Sequence, residues 1–297
     1  MQIKIGADPE LFVTKDGKLR SAHGLIPGTK EEPHPVKLGA VQVDGLALEF
    51  NIDPATTADE FVTNVQTVMA QLKDMVPGYE FAIIPSARFN GNHFRAQPDE
   101  AKELGCTPDF NAYTMAENKK PDNTTTMRTA AGHIHIGFCE GADPNDPGHM
   151  QRCATLIKQL DAFLGLPSVL WDKDKDRRSM YGAAGCFRPK PYGVEYRVLS
   201  NAWLTDERLM RFVFLATTRA VEELLEGNRP FEAIGERGMQ SIINRSYVRE
   251  ATGLIRRFLP DDIKLALSKV VDDAPGITTA AWADLNTIKI GPKIRAR

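Results

Sequence analysis

A chain of 297 residues, 42% hydrophobic and 26% charged, can bury a substantial core and is too apolar to remain disordered. Its net charge of −2 gives no general attraction to nucleic acid or to a membrane surface, and no apolar run is long enough to cross a bilayer. The four cysteines (Cys106, Cys139, Cys153, Cys186) lie far apart with no CxxC pair, which argues against a cysteine zinc site and a secreted disulfide scaffold.

In chain order, Ile3 to Phe12 reads as a strand broken at Pro9, which predicts an edge position or a bulge there. Gly24 to Gly39, with its prolines, glycines and charges (Ile26-Pro27-Gly28-Thr29-Lys30), reads as a long functional or flexible loop. Ala40–Val43 and Leu46–Ile52 flank Asp44-Gly45, a dipeptide favoured in two-residue type I′ turns, and predict a hairpin. Ala58–Met75 has helical spacing through Phe61, Val65, Val68, Met69 and Leu72. Phe81–Ile84 is a short strand ended by Pro85, and Glu103–Met127 reads as loop. Gly132–Gly137 is a β-branched strand. Met150–Leu164 predicts a helix, Gly193–Leu199 a strand and Asp206–Leu225 a long helix. The rest, from about Phe231, reads as mixed helix with a loose tail, and the basic ending Lys289–Arg297 as solvated.

No linker stands out, so a single domain over 1–297 is expected, its sheet within residues 1–200 and a mainly helical part over 201–297. The fold class is α+β: a curved, mainly antiparallel sheet of about six strands with helices packed on one face. The start, Met1 to Ile5, is too short and too polar for a signal peptide, so the expected location is the cytoplasm.

Function is carried by one face of that sheet. Side chains alternate along a strand, so His133 and His135 project together while Ile134 and Ile136 face the core. Glu49 and Asn51 share a face opposite Leu46, Leu48 and Phe50. Glu195 and Arg197 share one opposite Val194, Tyr196 and Val198, and Asp8 and Glu10 share one if the strand stays regular through Pro9. A solvated sheet face also alternates, but it mixes lysine, threonine and serine with its acids. Here the outward positions are nearly all hard-metal ligands plus one arginine. Carboxylates with few imidazoles suit Mg²⁺, or Mn²⁺ in its place, bridging nucleotide phosphates. Arg197 offers the planar, always-charged fork that pairs with a phosphoryl oxygen.

Five motifs in order carry a family resemblance: Gly6-Ala7-Asp8-Pro9-Glu10; Gln42-Val43-Asp44-Gly45 leading to Glu49-Phe50-Asn51-Ile52-Asp53-Pro54-Ala55; Gly105-Cys106-Thr107-Pro108-Asp109-Phe110-Asn111-Ala112-Tyr113; Gly132-His133-Ile134-His135-Ile136-Gly137; and Gly193-Val194-Glu195-Tyr196-Arg197. With these the chain resembles the carboxylate–amine ligases of the glutamine synthetase and γ-glutamylcysteine ligase superfamily, most of all the amidoligase type found in bacteriophage genomes. The resemblance implies a glutamine synthetase-like catalytic fold and ATP-dependent amide formation through an acyl phosphate. Asp8, Glu10, Glu49, His133 and Glu195 would then hold Mg²⁺, while His135, Arg197 and Asn51 would contact the nucleotide or its reacting phosphate. The superfamily often has an arginine two residues before the glutamate of its last motif. That position is Gly193 here, and Arg188 is the candidate substitute, acting with Arg197 in catalysis. Asp109, Asn111 and Tyr113 either line an acceptor pocket or cap their own turn.

The substrates implied are a small-molecule or peptide carboxylate and an amine, with no membrane or general nucleic-acid partner. An oligomer is compatible with the family, and a phage-encoded protein would work in the host cytoplasm. Two alternatives compete: a metal-dependent hydrolase built on the HxH strand, and a non-catalytic phage structural or binding protein with a ligase-like fold. The hydrolase needs further ligands, yet His23, His34, His93 and His149 stand in loop-like sequence.

Overall fold

The structure is a computed structural model and describes residues 3–103, 109–122 and 124–271. The Gly105–Pro108 part of the third motif and the expected C-terminal tail lie outside the described residues. Among them, the strands are β1 (Lys4–Lys15), β2 (Lys18–Arg20), β3 (His34–Val36), β4 (Gly39–Asp44), β5 (Ala47–Ile52), β6 (Glu80–Ala82), β7 (Ser86–Arg88), β8 (Phe110–Asn111), β9 (Met127–Thr129), β10 (Gly132–Gly137), β11 (Cys186–Lys190) and β12 (Gly193–Tyr196). β7 and β9 pair with each other. The other ten form one open sheet along the path β3-β4-β5-β1-β10-β12-β11-β8, with β2 and β6 added to β1.

Every strand pairing is antiparallel, as expected. The count of about six strands is too low. β2, β3 and β8 have two or three residues each, too few to display a period, and β3 sits inside the stretch read as loop. β11 carries Pro189, which weighs against a strand in sequence reading.

β1 lies in the middle of the sheet rather than at an edge, and it runs through Pro9 without a break. The amide of Glu10 donates to the carbonyl of Ala131 on the β10 side, so the nitrogen of Pro9 faces the β5 side. There the ladder slips by one residue: Ile5 bridges Ala55, but Glu10 pairs with Glu49. The missing N–H of Pro9 falls in that slip, so of the two expected alternatives, edge or bulge, the structure shows a bulge-like irregularity.

The β4–β5 hairpin forms one residue later than the sequence predicts. Asp44 pairs with Ala47, which makes Gly45 and Leu46 the turn residues. Gly45 has φ +57 and Leu46 does not share a positive φ, a pattern that fits type II′ and not type I′. Asp44 is therefore a strand residue in step with Gln42 and Glu49, pointing to the polar face.

The opposite, apolar face packs on helices. Ala58–Met75 is opened by a capping box between Thr57 and Glu60 and buries Phe61, Val65, Val68 and Leu72. The helix Glu207–Leu225, capped by Asp206, packs along it, and the helix Pro147–Leu160 lies under β11 and β12. The predicted Met150–Leu164 helix thus begins earlier and passes into a π-helical turn over Asp161–Gly165. Together with Ile5, Leu11, Ile134, Ile136, Val194 and Tyr196 these helices form the main core. Helices on one face is only part of the arrangement, because a second, smaller cluster covers part of the polar face. Phe12, Leu46, Phe89 and Phe94 pack there with Ala47, Ala87, Ala101 and Ala130. That cluster walls off one end of the polar face. After Phe231 the described chain is helical to Val271, in four segments.

Candidate active site

The strand registers bring the polar side chains into rows across the sheet. Gln42 pairs with Glu49 and Glu49 with Glu10; Asp8 pairs with His133; His135 pairs with Glu195 and Glu195 with Arg188. These residues come from β4, β5, β1, β10, β12 and β11, so no single segment reveals the site. Arg197 stands one residue past the end of β12, where its amide still donates to the carbonyl of Cys186 at 3.0 Å.

Two groups of ligand atoms converge. In the first, atoms of Asp8, His135 and Glu195 lie within 4.8 Å of one another; in the second, atoms of Glu10, Asp44 and Glu49 do so. The geometry thus draws His135, rather than His133, into the first group. His135 Nε2 is 3.1 Å from Asp8 Oδ2, and its Nδ1 is 2.5 Å from the hydroxyl of Tyr192. His133 Nδ1 sits 3.3 Å from Asp8 Oδ1 and 3.4 Å from both Glu195 Oε1 and Arg197 Nη1, with its ring tilted against Tyr181.

Glu195 is fully buried and is surrounded by cations. Arg197 Nη1 donates to its Oε1, Lys190 Nζ is 2.9 Å from Oε2 and Arg188 Nη1 is 3.5 Å from the same oxygen. Arg197 is held further by Asp109, 3.3 Å from its Nε, and by the ring of Tyr181, whose centroid is 5.1 Å from the guanidinium carbon. Gly193 explains why no arginine stands two residues before Glu195. Its φ is +149, and a Cβ there would sit 2.1 Å from the carbonyl oxygen of Ile136. Charge reaches Glu195 from the neighbouring strand instead, through Arg188 and Lys190.

Among the described residues the second group forms one ion pair. Lys30, from the turn before β3, places Nζ 2.7 Å from Asp44 Oδ1. Glu10 Oε2 accepts from the amide of Ala131 at 2.9 Å, while Glu49 Oε2 and Gln42 Oε1 are buried without a hydrogen-bond partner.

Electrostatics separate the two groups. Burial pushes Glu10 up to about 7, reinforced by Asp44. Burial and the neighbouring Asp44, Asp8 and Glu10 push Glu49 well above the usual carboxylate range. For Asp8, burial acts in the same direction, but His135 and His133 outweigh it and hold the carboxyl well below its ordinary value. Burial opposes the charge on His135, yet Asp8 raises it. Burial and Arg197 lower His133 to about 4, so its ring is neutral at pH 7.

Two cavities open on this face. The larger, about 590 Å³, is lined by Glu10, Asp44, Asp109, His133, Arg188, Lys190 and Arg197, with Lys119 and Lys120 at its wall. The smaller, about 400 Å³, is lined by Asn51, His135, Tyr192 and Lys4. The three residues expected to contact nucleotide are therefore divided: Arg197 faces the larger cavity, His135 and Asn51 the smaller. Of the Asp109–Tyr113 motif only Asp109 reaches the site. Asn111 caps its own turn, and the hydroxyl of Tyr113 donates to the buried Asp161 behind the sheet.

Sequence reading missed Asp44 as a group member, Lys30, Lys190, Tyr181 and Tyr192. Lys190 was legible in principle, being two residues from Arg188 and on the same face of a strand. His23, His34, His93 and His149 join neither group; His93 accepts from the amide of Ser21, and His149 Nε2 is 3.0 Å from the carbonyl of Lys190. Among the described residues no helix is long and apolar enough to cross a membrane.

Comparison with known families bears on this region. Residues 115–233 match the model of the family described as phage phiEco32-like COOH.NH2 ligase-type 2. The match includes β10, β11 and β12, hence His133, His135, Arg188, Lys190, Glu195 and Arg197. No curated protein matches the chain.

Proposed function

We propose that this ligase-like chain joins a carboxylate to an amine at the expense of ATP, through an acyl phosphate, with Mg²⁺ held on the polar sheet face. The observation that carries the reading is the pairing of a cation-starved carboxylate group with a cation-rich one on a single face. It is joined by the ligase-family match over three of the strands that build that face. In such a reaction the bond between the γ-phosphorus and its bridging oxygen breaks, ADP leaves with the electron pair, and a carboxylate oxygen takes the phosphorus. The amine nitrogen then attacks the acyl carbon, inorganic phosphate departs and the amine gives up a proton.

The donor set fits a hard divalent cation. Among the described residues, Glu49 Oε2 and Gln42 Oε1 are buried without partners, and three carboxylates crowd one another with Lys30 as their one ion-paired cation. An all-oxygen ligand set suits Mg²⁺ or Mn²⁺ better than zinc. Glu10, Asp44 and Glu49 would hold such an ion, beside the Asp8, His135 and Glu195 group, where Arg197, Lys190 and Arg188 already compensate Glu195. When bound, such ions neutralise phosphoryl charge and align the reacting oxygens.

The chain's own residues do the remaining work. Arg197, clamped by Glu195, Asp109 and Tyr181, presents a preorganised guanidinium to an anion in the larger cavity. Arg188 and Lys190 extend that positive wall, and the small Phe12 cluster closes one side against water. His133, neutral at pH 7, spaces Arg197 from Asp8 without adding charge.

The test is direct. With Mg²⁺ and ATP the purified protein releases ADP when a suitable carboxylate and amine are both supplied, and slowly or not at all without them. Absence of nucleotide binding by calorimetry at millimolar ATP and Mg²⁺ removes the ligase reading.

A further inference from the structure

The two cavities share four residues: Asp8, Lys30, Gln42 and Glu49. Of these, Lys30 is the one cation. It lies outside the family match and outside the five sequence motifs, in the stretch that reads as a long functional or flexible loop.

The turn that carries it is built rather than loose. The amide of Val43 donates to the carbonyl of Gly28 at 3.3 Å, tying the turn to β4. Gly28 has φ +95, and a Cβ there would meet the carbonyl oxygen of Val41 at 2.4 Å, so this close approach requires glycine. Within the turn, Thr29 N–H donates to the carbonyl of Glu32 and Glu32 N–H to Thr29 Oγ1. The ammonium is thereby delivered to Asp44 at 2.7 Å, at the edge of the Glu10–Asp44–Glu49 group. Its side chain is still 42% exposed, so the head group has room to turn toward a ligand.

A ligase of the proposed kind passes a phosphoryl group from a nucleotide in one site to a carboxylate in another. The transferring group must then sit where the two sites meet, whichever cavity holds the nucleotide. We infer that Lys30 is the side chain that contacts the γ-phosphoryl group of the bound nucleoside triphosphate and its acyl-phosphate successor. Arg197, Arg188 and Lys190, like Lys119 and Lys120, border the larger cavity alone, and Lys4 the smaller alone, so among the described lysines and arginines Lys30 is the one that borders both. A compact ammonium on a flexible stem can follow a phosphoryl group across a seam, as a clamped guanidinium cannot. Its charge would be felt most strongly where phosphoryl oxygens gather in the transition state.

This inference rests on the ligase reading, and a binding experiment separates the two. Calorimetry with Mg²⁺ compares a non-hydrolysable ATP analogue with ADP, in the intact protein and in Lys30→Ala and Lys30→Arg. The expected result is about tenfold weaker binding of the analogue to Lys30→Ala, ADP binding unchanged within about twofold, and partial recovery in Lys30→Arg. Retained ADP binding also shows that the variant is folded. Equal weakening of both nucleotides, or no weakening of either, overturns the assignment of Lys30 while leaving the ligase reading in place. If the intact protein binds neither nucleotide, the ligase reading falls and Lys30 with it.

Discussion

The two carboxylate groups on the sheet face are close in space and opposite in electrostatic character. Around Glu195 the protein supplies its own counter-charges from Arg197, Lys190 and Arg188, and Asp8 is held ionised by the histidines. Around Glu49 it supplies Lys30 at the rim and otherwise stacks acid on acid, so burial and mutual repulsion drive Glu10 and Glu49 toward protonation. One half of the face is a finished salt-bridge network, able to receive an anion. The other half is left short of positive charge, and a divalent cation is the simplest means of relieving it. A solvated surface sheet would show neither extreme.

The sharpest way to break this comparison is to neutralise one acid from each half. Glu195→Gln removes a buried charge from beneath three cations and leaves them uncompensated. That should cost roughly 3–5 kcal/mol of stability, seen as a lower midpoint in denaturant with an unchanged slope. Glu49→Gln should have the opposite sign above neutral pH without divalent cations, raising the midpoint because it relieves repulsion. If both substitutions destabilise equally, the two halves are not electrostatically distinct.

A second test uses pH and metal together. Glu10 and Glu49 have raised folded-state values, so the folded chain binds more protons there than the unfolded chain. Their contribution to stability is complete below the unfolded carboxylate range, near 4.5. It is lost as pH rises through the raised folded-state values, about 7 for Glu10. Asp8 runs the other way: its contribution is present above the ordinary aspartate value and is lost only as pH falls through its depressed folded value. Mg²⁺ should therefore raise the melting temperature more at pH 8 than at pH 5, by several degrees at saturating metal. Asp44→Asn should remove most of that gain. An equal Mg²⁺ effect at both pH values would place the cation elsewhere.

The contrast also shows what the sequence carried and where it fell short. Face alternation in β1, β5, β10 and β12 named Asp8, Glu10, Glu49, both histidines, Glu195 and Arg197, and the structure brings them together on one face. The split into two groups was not legible, because it depends on register between strands far apart in the chain. Asp44 was hidden by a turn displaced by one residue: read as a turn residue with Gly45, it is the last residue of β4 and shares the face of Gln42. Lys30 and Tyr181 reach the site from non-strand segments, which carry no period at all. β11 was lost to Pro189, and with it the reason that Arg188 and Lys190 can do from the neighbouring strand what Gly193 cannot.

The smallest expected effect distinguishes the cavities rather than the acid groups. Arg188 is 3.5 Å from Glu195, and its side chain is 20% exposed, so Arg188→Ala removes a peripheral member of a network that retains Arg197 and Lys190. Its stability cost should stay near 1 kcal/mol, well below that of Glu195→Gln. Asn51 lies in the smaller cavity, away from the cation-rich wall. If the nucleotide occupies the larger cavity, Arg188→Ala should weaken Mg²⁺–ADP binding about threefold to tenfold, and Asn51→Ala should leave it within about twofold. The reverse ranking by calorimetry would put the nucleotide in the smaller cavity, beside His135 and Tyr192, and make the larger one the home of the carboxylate and amine.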